Sequence, residues 1–298
     1  MEDPMYKVLL GMTFAGLMVS TLGIAQAQQP VTASDLELAI STGLQGGGYW
    51  SAGDRLQSVA RDAGITVQNF ASTGSLANLE QLSRSGSPVN LAFAQADALE
   101  YFVNENPRSD GLFEELQTIG EECVFIISES DSDIDSVEDM EKSQRMHLGI
   151  KSPQSGIWVT FNYMSTLVPE LRSVSLIYGD TVGMMNEMAH PKTNIDRAVM
   201  VVQGTDAHSP EIDMAAANPD KYQFVELDDK RLTKAADGGE PTYHKMKVRS
   251  SVAEKVGKVK TICVRGLLLA NTQKLSSEEL IQVRQLVNEH WGEIHPVQ

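Results

Sequence analysis

The feature that most limits what this chain can fold into is a unit repeated along its N-terminal third: a short apolar strand, a glycine- or serine-rich loop, then an amphipathic helix. Leu36 to Ser41 puts Leu36, Leu38 and Ile40 on one face and runs into Gly43-Leu44-Gln45-Gly46-Gly47-Gly48. Ser51 to Ala63 then aligns Leu56, Val59, Ala60 and Ala63, with Ser51-x-x-Asp54 as an expected capping box and Gly64 as a stop. Ile65 to Phe70 is the next strand, Ala71-Ser72-Thr73-Gly74-Ser75 the next loop, and Leu76, Leu79 and Leu82 line a helix ending near Gly86. Val89 to Ala94 repeats the pattern, leading through Gln95-Ala96-Asp97 into a helix past Tyr101. Strands alternating with helices at this spacing predict an α/β fold with parallel sheets and right-handed crossovers. Ligands of such sheets bind beyond the carboxyl ends of the strands, where all three loops lie.

The rest of the chain continues the alternation. Cys123 to Ser128 is an unbroken apolar strand, followed by an acidic stretch and a short helix capped by Ser136-x-x-Asp139. Met146 to Ile150 opens a second α/β set, with Ser152-Pro153-Gln154-Ser155-Gly156 ahead of a helix through Val159, Tyr163 and Leu167. Val174 to Tyr178, a Met-rich helix from Val182 to Met188, and Ile195 to Gln203 extend it. His208 to Pro241 reads as loops with short elements, Thr261 to Ala270 as a buried strand, and Ser276-x-x-Glu279 starts a last helix through Trp291.

Composition narrows the function classes. The 298 residues hold 40 Asp and Glu against 24 Lys and Arg, a formal charge of -16, which argues against nucleic acid or anionic lipid as partners. A small anionic ligand stays possible because pocket donors are local. The triple glycine 46–48 lacks the Gly-Lys-Ser/Thr of a phosphate loop, and Ser51 stands where a dinucleotide fingerprint needs its last glycine. Asp131-x-Asp133-x-Asp135 begins like a calcium loop, but Ser136 and Lys142 occupy the positions that need Gly and Glu, so it reads as a solvated turn. Histidine spacing supports no metal site, and no Gly-x-Ser-x-Gly elbow marks a hydrolase, so no catalytic residue, metal or cofactor is expected. The Met184, Met185, Met188 cluster reads as helix core.

The N-terminus reads as a secretory signal. Lys7 precedes an apolar run from Val8 to Ile24 and the small-x-small site Ala25-Gln26-Ala27, giving an expected leader over 1–27 cleaved after Ala27. The run is short for a membrane span of about 20 residues. Glu2 and Asp3 are foreign to such a leader, which points to Met5 as the start. Cys123 and Cys263 are the two cysteines; in an exported chain they are a bridge or a pair of buried thiols.

Three motifs in order carry a family resemblance: Ser41-Thr42-Gly43-Leu44-Gln45-Gly46-Gly47-Gly48-Tyr49-Trp50, then Thr73-Gly74-Ser75-x-x-Asn78, then Leu91-Ala92-Phe93-Ala94-Gln95-Ala96-Asp97. With Cys123-Val124-Phe125-Ile126-Ile127, Ile134-Asp135-Ser136-Val137-Glu138-Asp139-Met140 and Met146-His147-Leu148-Gly149-Ile150, the chain resembles the TAXI family, periplasmic solute receptors of tripartite TRAP transporters. Where that family shows Gly-Ser-Gly-Thr, this chain has Gln154-Ser155-Gly156-Ile157. The resemblance implies a two-lobed type II periplasmic binding protein, each lobe a mostly parallel sheet flanked by helices, joined by hinge strands. Residues 28–125 with 262–298 then form lobe 1 and 126–261 lobe 2, with Cys123 and Cys263 near the connections. It further implies a periplasmic location, a small-molecule ligand of the amino acid or mono-/dicarboxylate class, delivery to TRAP permease subunits, and a monomer that is no enzyme. A secreted sensor partnering a membrane receptor kinase, or an enzyme on the same fold, are the alternative classes.

Helix N-termini behind glycine loops favour an anionic group. The expected ligand contacts are Thr42, Gly43, Gly46, Gly47 and Tyr49 in the first loop, Thr73, Gly74, Ser75 and Asn78 in the second, and Gln95 in the third. Ser152, Gln154, Ser155 and Gly156 offer the matching helix terminus from lobe 2. Each has an ordinary alternative: Thr73 and Ser75 as caps, Tyr49 and Trp50 as packing.

Overall fold

A computed structural model describes residues 36–188, 195–205, 207–235, 240–247 and 259–295. The expected leader 1–27, its start and its cleavage site lie outside these residues. The described residues belong to one compact unit.

The N-terminal repeats fold as a parallel set. β1 (Glu37–Ser41) lies between β2 (Thr66–Phe70) and β3 (Leu91–Gln95), both parallel to it. The connecting helices are α1 (Gly48–Asp62) and α2 (Ser75–Ser83), and α3 (Ala96–Glu105) follows β3. α1 begins three residues before the expected Ser51, with Gly47 at its N-cap and no side-chain cap. Asp54 is instead used by Asn69, whose Nδ2 donates to its Oδ1 at 2.8 Å. Glycine at the cap leaves the first turn open to whatever lies in front of it.

A second parallel set follows. β5 (Met146–Ile150) lies between β6 (Ser175–Tyr178) and β7 (Asp196–Gly204), with α5 (Gly156–Leu167) and α6 (Thr181–Met188) as connections. α4 (Val137–Lys142) precedes β5 and carries the expected cap, Ser136 accepting from Asp139 N. The loop-rich stretch after His208 contains α7 (Pro210–Ala217), capped by Ser209, and β8 (Tyr222–Phe224).

Two long antiparallel strands join the sets: β4 (Phe113–Glu129) and β10 (Lys260–Asn271), with β9 (Tyr243–Lys247) paired to β10. The sheet runs β2-β1-β3-β10-β4-β7-β5-β6, with β8 added to β4. β4 starts well ahead of the expected Cys123, because its polar first half, Phe113 to Glu122, has no apolar alternation and is held by its pairing with Val264 to Asn271 of β10. α8 (Ser277–Glu289) has the expected Ser276–Glu279 capping box, and His290 breaks it from α9 (Trp291–Ile294).

Side-chain parity along the central strands divides the core. Val124, Ile126, Ala92, Ala94, Leu267 and Leu269 face a cluster that spans both sets and is roofed by α2, α3, α4 and α5. Their neighbours face the other way into two separate clusters. Leu91, Phe93 and Leu268 pack under α1 and α8, while Cys123, Phe125 and Ile127 pack under α6 and α7. Buried on both faces, these strands read as unbroken apolar runs.

Cys263 stands directly opposite Cys123 in the β10/β4 ladder, and the two form a disulfide within the third cluster. It closes a loop with a sequence separation of 140 residues. Removing it as Cys123→Ala with Cys263→Ala is expected to lower stability by about 2–4 kcal/mol in equilibrium urea unfolding. Two titratable thiols in unfolded, unreduced protein would contradict the bridge.

Candidate binding cavity

Ile119 belongs to the core under α1 and Cys123 to the core under α6 and α7. The intervening Gly120, Glu121 and Glu122 supply no apolar bulk, and a cavity of about 580 Å³ lies at this gap. Its walls come from both parallel sets. Gly43, Leu44 and Gly47 to Trp50 bring the first loop and the start of α1, and Thr73 and Gly74 the loop before α2. Lys151, just past β5, and Val202 to Gly204, at the end of β7, come from the second set. The cavity therefore sits beyond the carboxyl ends of parallel strands, where the topology places ligand sites. Its volume suits a small molecule.

The first-turn N–H groups of α1 have no acceptor within their own helix, and Gly47 puts no side chain over them. Tyr49, in that turn, runs its ring against Phe93, centroids 5.4 Å apart, and buries its hydroxyl beside Glu122 without a well-formed hydrogen bond. Gly266 of β10 makes this possible, since a Cβ there would stand 2.9 Å from the Tyr49 hydroxyl and 2.8 Å from Ile119.

The carboxylates on the β4 wall are poorly hydrated. Burial pushes the Glu122 carboxyl up to about 7, the Tyr49 hydroxyl partly offsets this, and the charge of Asp97 adds to it. Burial first, then the charge of Glu122, raises the Tyr49 hydroxyl. Burial also raises Glu121, opposed by the charges of His244, whose Nε2 lies 3.5 Å from its Oε2, and of Arg265. Behind Lys151, burial would raise Glu211 of α7, but hydrogen bonds from Thr181 and the backbone, with the Lys151 charge, hold it below the usual range. Among the described residues no cluster of three or more His, Cys, Asp or Glu side chains is arranged for a metal ion.

Of the residues expected from sequence, Gly43, Gly47, Tyr49, Thr73 and Gly74 line the cavity. Gly46 is exposed in the same loop with φ +83°. Thr42 is buried and donates to Asn69 Oδ1 and the Phe70 carbonyl. Asn78 is also buried: its Oδ1 accepts from Ser41, and its Nδ2 donates to the carbonyls of Phe93 and Thr42. Ser75 Oγ accepts from Gln95 N at 3.2 Å. Ser152 and Gln154 are exposed in the loop before α5, and Ser155 caps that helix by accepting from Trp158 N.

The start of α5 meets the first set directly. Gln95 Oε1 fills the space in front of Gly156, and a Cβ on Gly74, whose φ is +137°, would stand 3.2 Å from Gly156 N. Gly74, Ser75, Gln95, Ser155 and Gly156 thus converge as a contact between the sets, with Gly74 also on the cavity side. Sequence reading missed Glu121, Glu122, Lys151 and Val202 to Gly204. Two signals were available: adjacent acids entering an apolar strand, and a lysine immediately after a parallel strand.

No family model matches the sequence, and no curated protein matches it significantly. Solved structures do resemble it. XAC2383 from Xanthomonas citri bound to ATP aligns with a TM-score of 0.50 at 11% identity, over 87% of this chain and 88% of that one. Lactococcal OpuAC complexed with glycine betaine gives 0.46 at 11%, over 87% and 98%. The periplasmic binding protein BugD gives 0.42 at 13%, over 88% of each chain. The first likeness is one of fold: helices flanking a mixed α/β sheet.

Because Glu122 holds a proton more tightly folded than unfolded, its contribution favours folding most below about pH 4.5, the ordinary glutamate value, and is lost as pH rises through about 7. Glu122→Gln is therefore expected to be more stable than the parent at pH 8 by about 2–3 kcal/mol, with little difference at pH 4. Urea unfolding at the two pH values measures this, and an equal difference at both would remove the buried acid from the account.

Proposed function

We propose that this chain is an extracytoplasmic solute receptor that captures a small carboxylate-bearing molecule in the cavity and delivers it to a TRAP-type membrane permease. The observation that carries the reading is the cavity itself, lined by loops at the carboxyl ends of strands from both parallel sets and open to unpaired N–H groups of α1. Such a terminus offers oriented donors and a positive dipole end to an anion. The glycine-loop motifs that resemble the TAXI family fall on this wall, and the fold likeness to XAC2383 is compatible with the reading. Residues 28–125 with 262–298 and residues 126–261 act in this proposal as two lobes that close on the ligand, with β4 and β10 as the hinge. The leader over 1–27 directs the chain to the periplasm, where it works as a monomer without a cofactor and leaves its ligand chemically unchanged.

The test is a thermal-shift screen of amino acids and mono- and dicarboxylates. A ligand at a hundred times its Kd stabilises the fold by about 2.7 kcal/mol, which for this size is a rise of about 5 °C or more. Thr73→Ala, at the cavity mouth, is expected to weaken binding of any hit about tenfold to a hundredfold by calorimetry, as loss of one hydrogen bond to a charged group. A screen with no shift overturns the carboxylate reading.

A further inference from the structure

The expected anion site of the second set was the N-terminus of α5, but that terminus faces Gln95 and Gly74 and does not line the cavity. The second set presents another group there. Lys151 is the first residue after β5, and among the described residues lining the cavity it is the one Lys or Arg. Its side chain is about half exposed, and its Nζ lies 3.5 Å from Oε1 of Glu211.

Glu211 is an unusual partner for a surface lysine. It is 1% exposed, in the first turn of α7. Thr181, at the start of α6, donates to the same Oε1 at 2.5 Å. The second oxygen, Oε2, is buried without a hydrogen-bond partner. Hydrogen bonds from Thr181 and the backbone already favour the ionised carboxylate, and a half-exposed lysine adds little to stability, so stability alone gives no reason for the Lys151 contact. Positioning does. A lysine on a flexible stem is a poor fixed charge, and a carboxylate held by Thr181 restricts where its ammonium sits. An ammonium has three donors, which leaves donors for a ligand. Glu121 and Glu122 line the same cavity and, when ionised, disfavour an anion at the β4 wall, so an anionic group is directed toward Lys151 and the start of α1.

We propose that Lys151 is the second set's contact for the anionic group of the ligand and that Glu211, held by Thr181, is its positioning residue. The anion is then clamped between the N-terminus of α1 and a tethered ammonium. This rests on the receptor reading above and assigns its second-set donor to Lys151 in place of Ser155 and Gly156.

Two measurements test it. The first needs no ligand: acylation of Lys151 by N-hydroxysuccinimidyl acetate, followed by peptide mass spectrometry, with Lys221 as the control. Glu211→Gln keeps an acceptor for Thr181 and removes the charge that holds the ammonium, so Lys151 is expected to label about threefold faster with Lys221 unchanged. An unchanged rate at Lys151 overturns the positioning role. The second uses acetate, succinate and L-glutamate as probes, with any stronger hit of the screen added. A probe that stabilises the parent protein is expected to protect Lys151 from acylation. Lys151→Met is expected to weaken that probe about tenfold or more, and Lys151→Arg about threefold or less. Glu211→Gln is expected to weaken it about threefold to tenfold in the parent and by less than about twofold in the Lys151→Met background, a coupling that general loss of structure does not produce.

Binding retained within about twofold in Lys151→Met, or tightened in Glu211→Gln, overturns the proposal while leaving the receptor reading intact. If no carboxylate stabilises the parent protein, the receptor reading fails and the anion role of Lys151 with it. The acylation arm still decides whether Glu211 holds the lysine.

Discussion

The antiparallel pairing of β4 with β10 is the constraint on which the rest depends. These strands lie side by side in the middle of the sheet, with β3 on the far side of β10 and β7 on the far side of β4. Within the sheet, β10 and β4 are what connects one parallel set to the other. Their register sets Cys263 against Cys123, and the disulfide fixes that register covalently. Slippage by one residue would turn Val124 and Ile126 out of the shared core and expose what now packs against α5. The ladder is irregular near Gly266, which the Tyr49 hydroxyl approaches, and the facing residues Ile119 to Glu122 of β4 line the cavity.

Two buried carboxylates and a partly buried one on the cavity wall show how differently the fold handles the same chemical problem. Asp97, at the start of α3, is fully buried and accepts from the Tyr243 hydroxyl at 2.7 Å and from Ala98 N at 2.8 Å. Burial raises its carboxyl, and the nearby Thr160 side chain with the hydrogen bonds from Tyr243 and Ala98 works against that rise. Tyr243 also reaches the Thr160 carbonyl, so α3, β9 and α5 meet at one acid. Glu211 takes a hydroxyl and a lysine, and its acid form is disfavoured. Glu122 has the fewest compensating groups and is the one raised to about 7.

The two helix termini that sequence treats alike have different surroundings. Both α1 and α5 follow a strand and a small-residue loop, as an anion-binding terminus should. At α1 the cap is Gly47, and the space in front is the cavity. At α5 the cap is Ser155, whose hydroxyl takes the Trp158 N–H, and Gln95 occupies the space ahead of Gly156. The difference arises from β3, a strand distant in sequence, which ends where α5 begins.

Local pattern determined much of this protein. Alternation in Leu36 to Ser41, the continuous run Cys123 to Ser128 and the Ser276–Glu279 box each identify an element, because strand pleat, two-sided burial and helix capping act over a few residues. The glycine loops pointed to one wall of the cavity for the same reason. What sequence left undecided required partners far along the chain. The polar half of β4 is a strand because β10 pairs with it, and Asn78 serves the fold because Ser41, Thr42 and Phe93 surround it. Lys151 faces a cavity, and Glu211 beside it is buried, because strands and helices from separate stretches of chain converge there. Such contacts exist only after the sheet has closed, so no local period in the sequence can encode them.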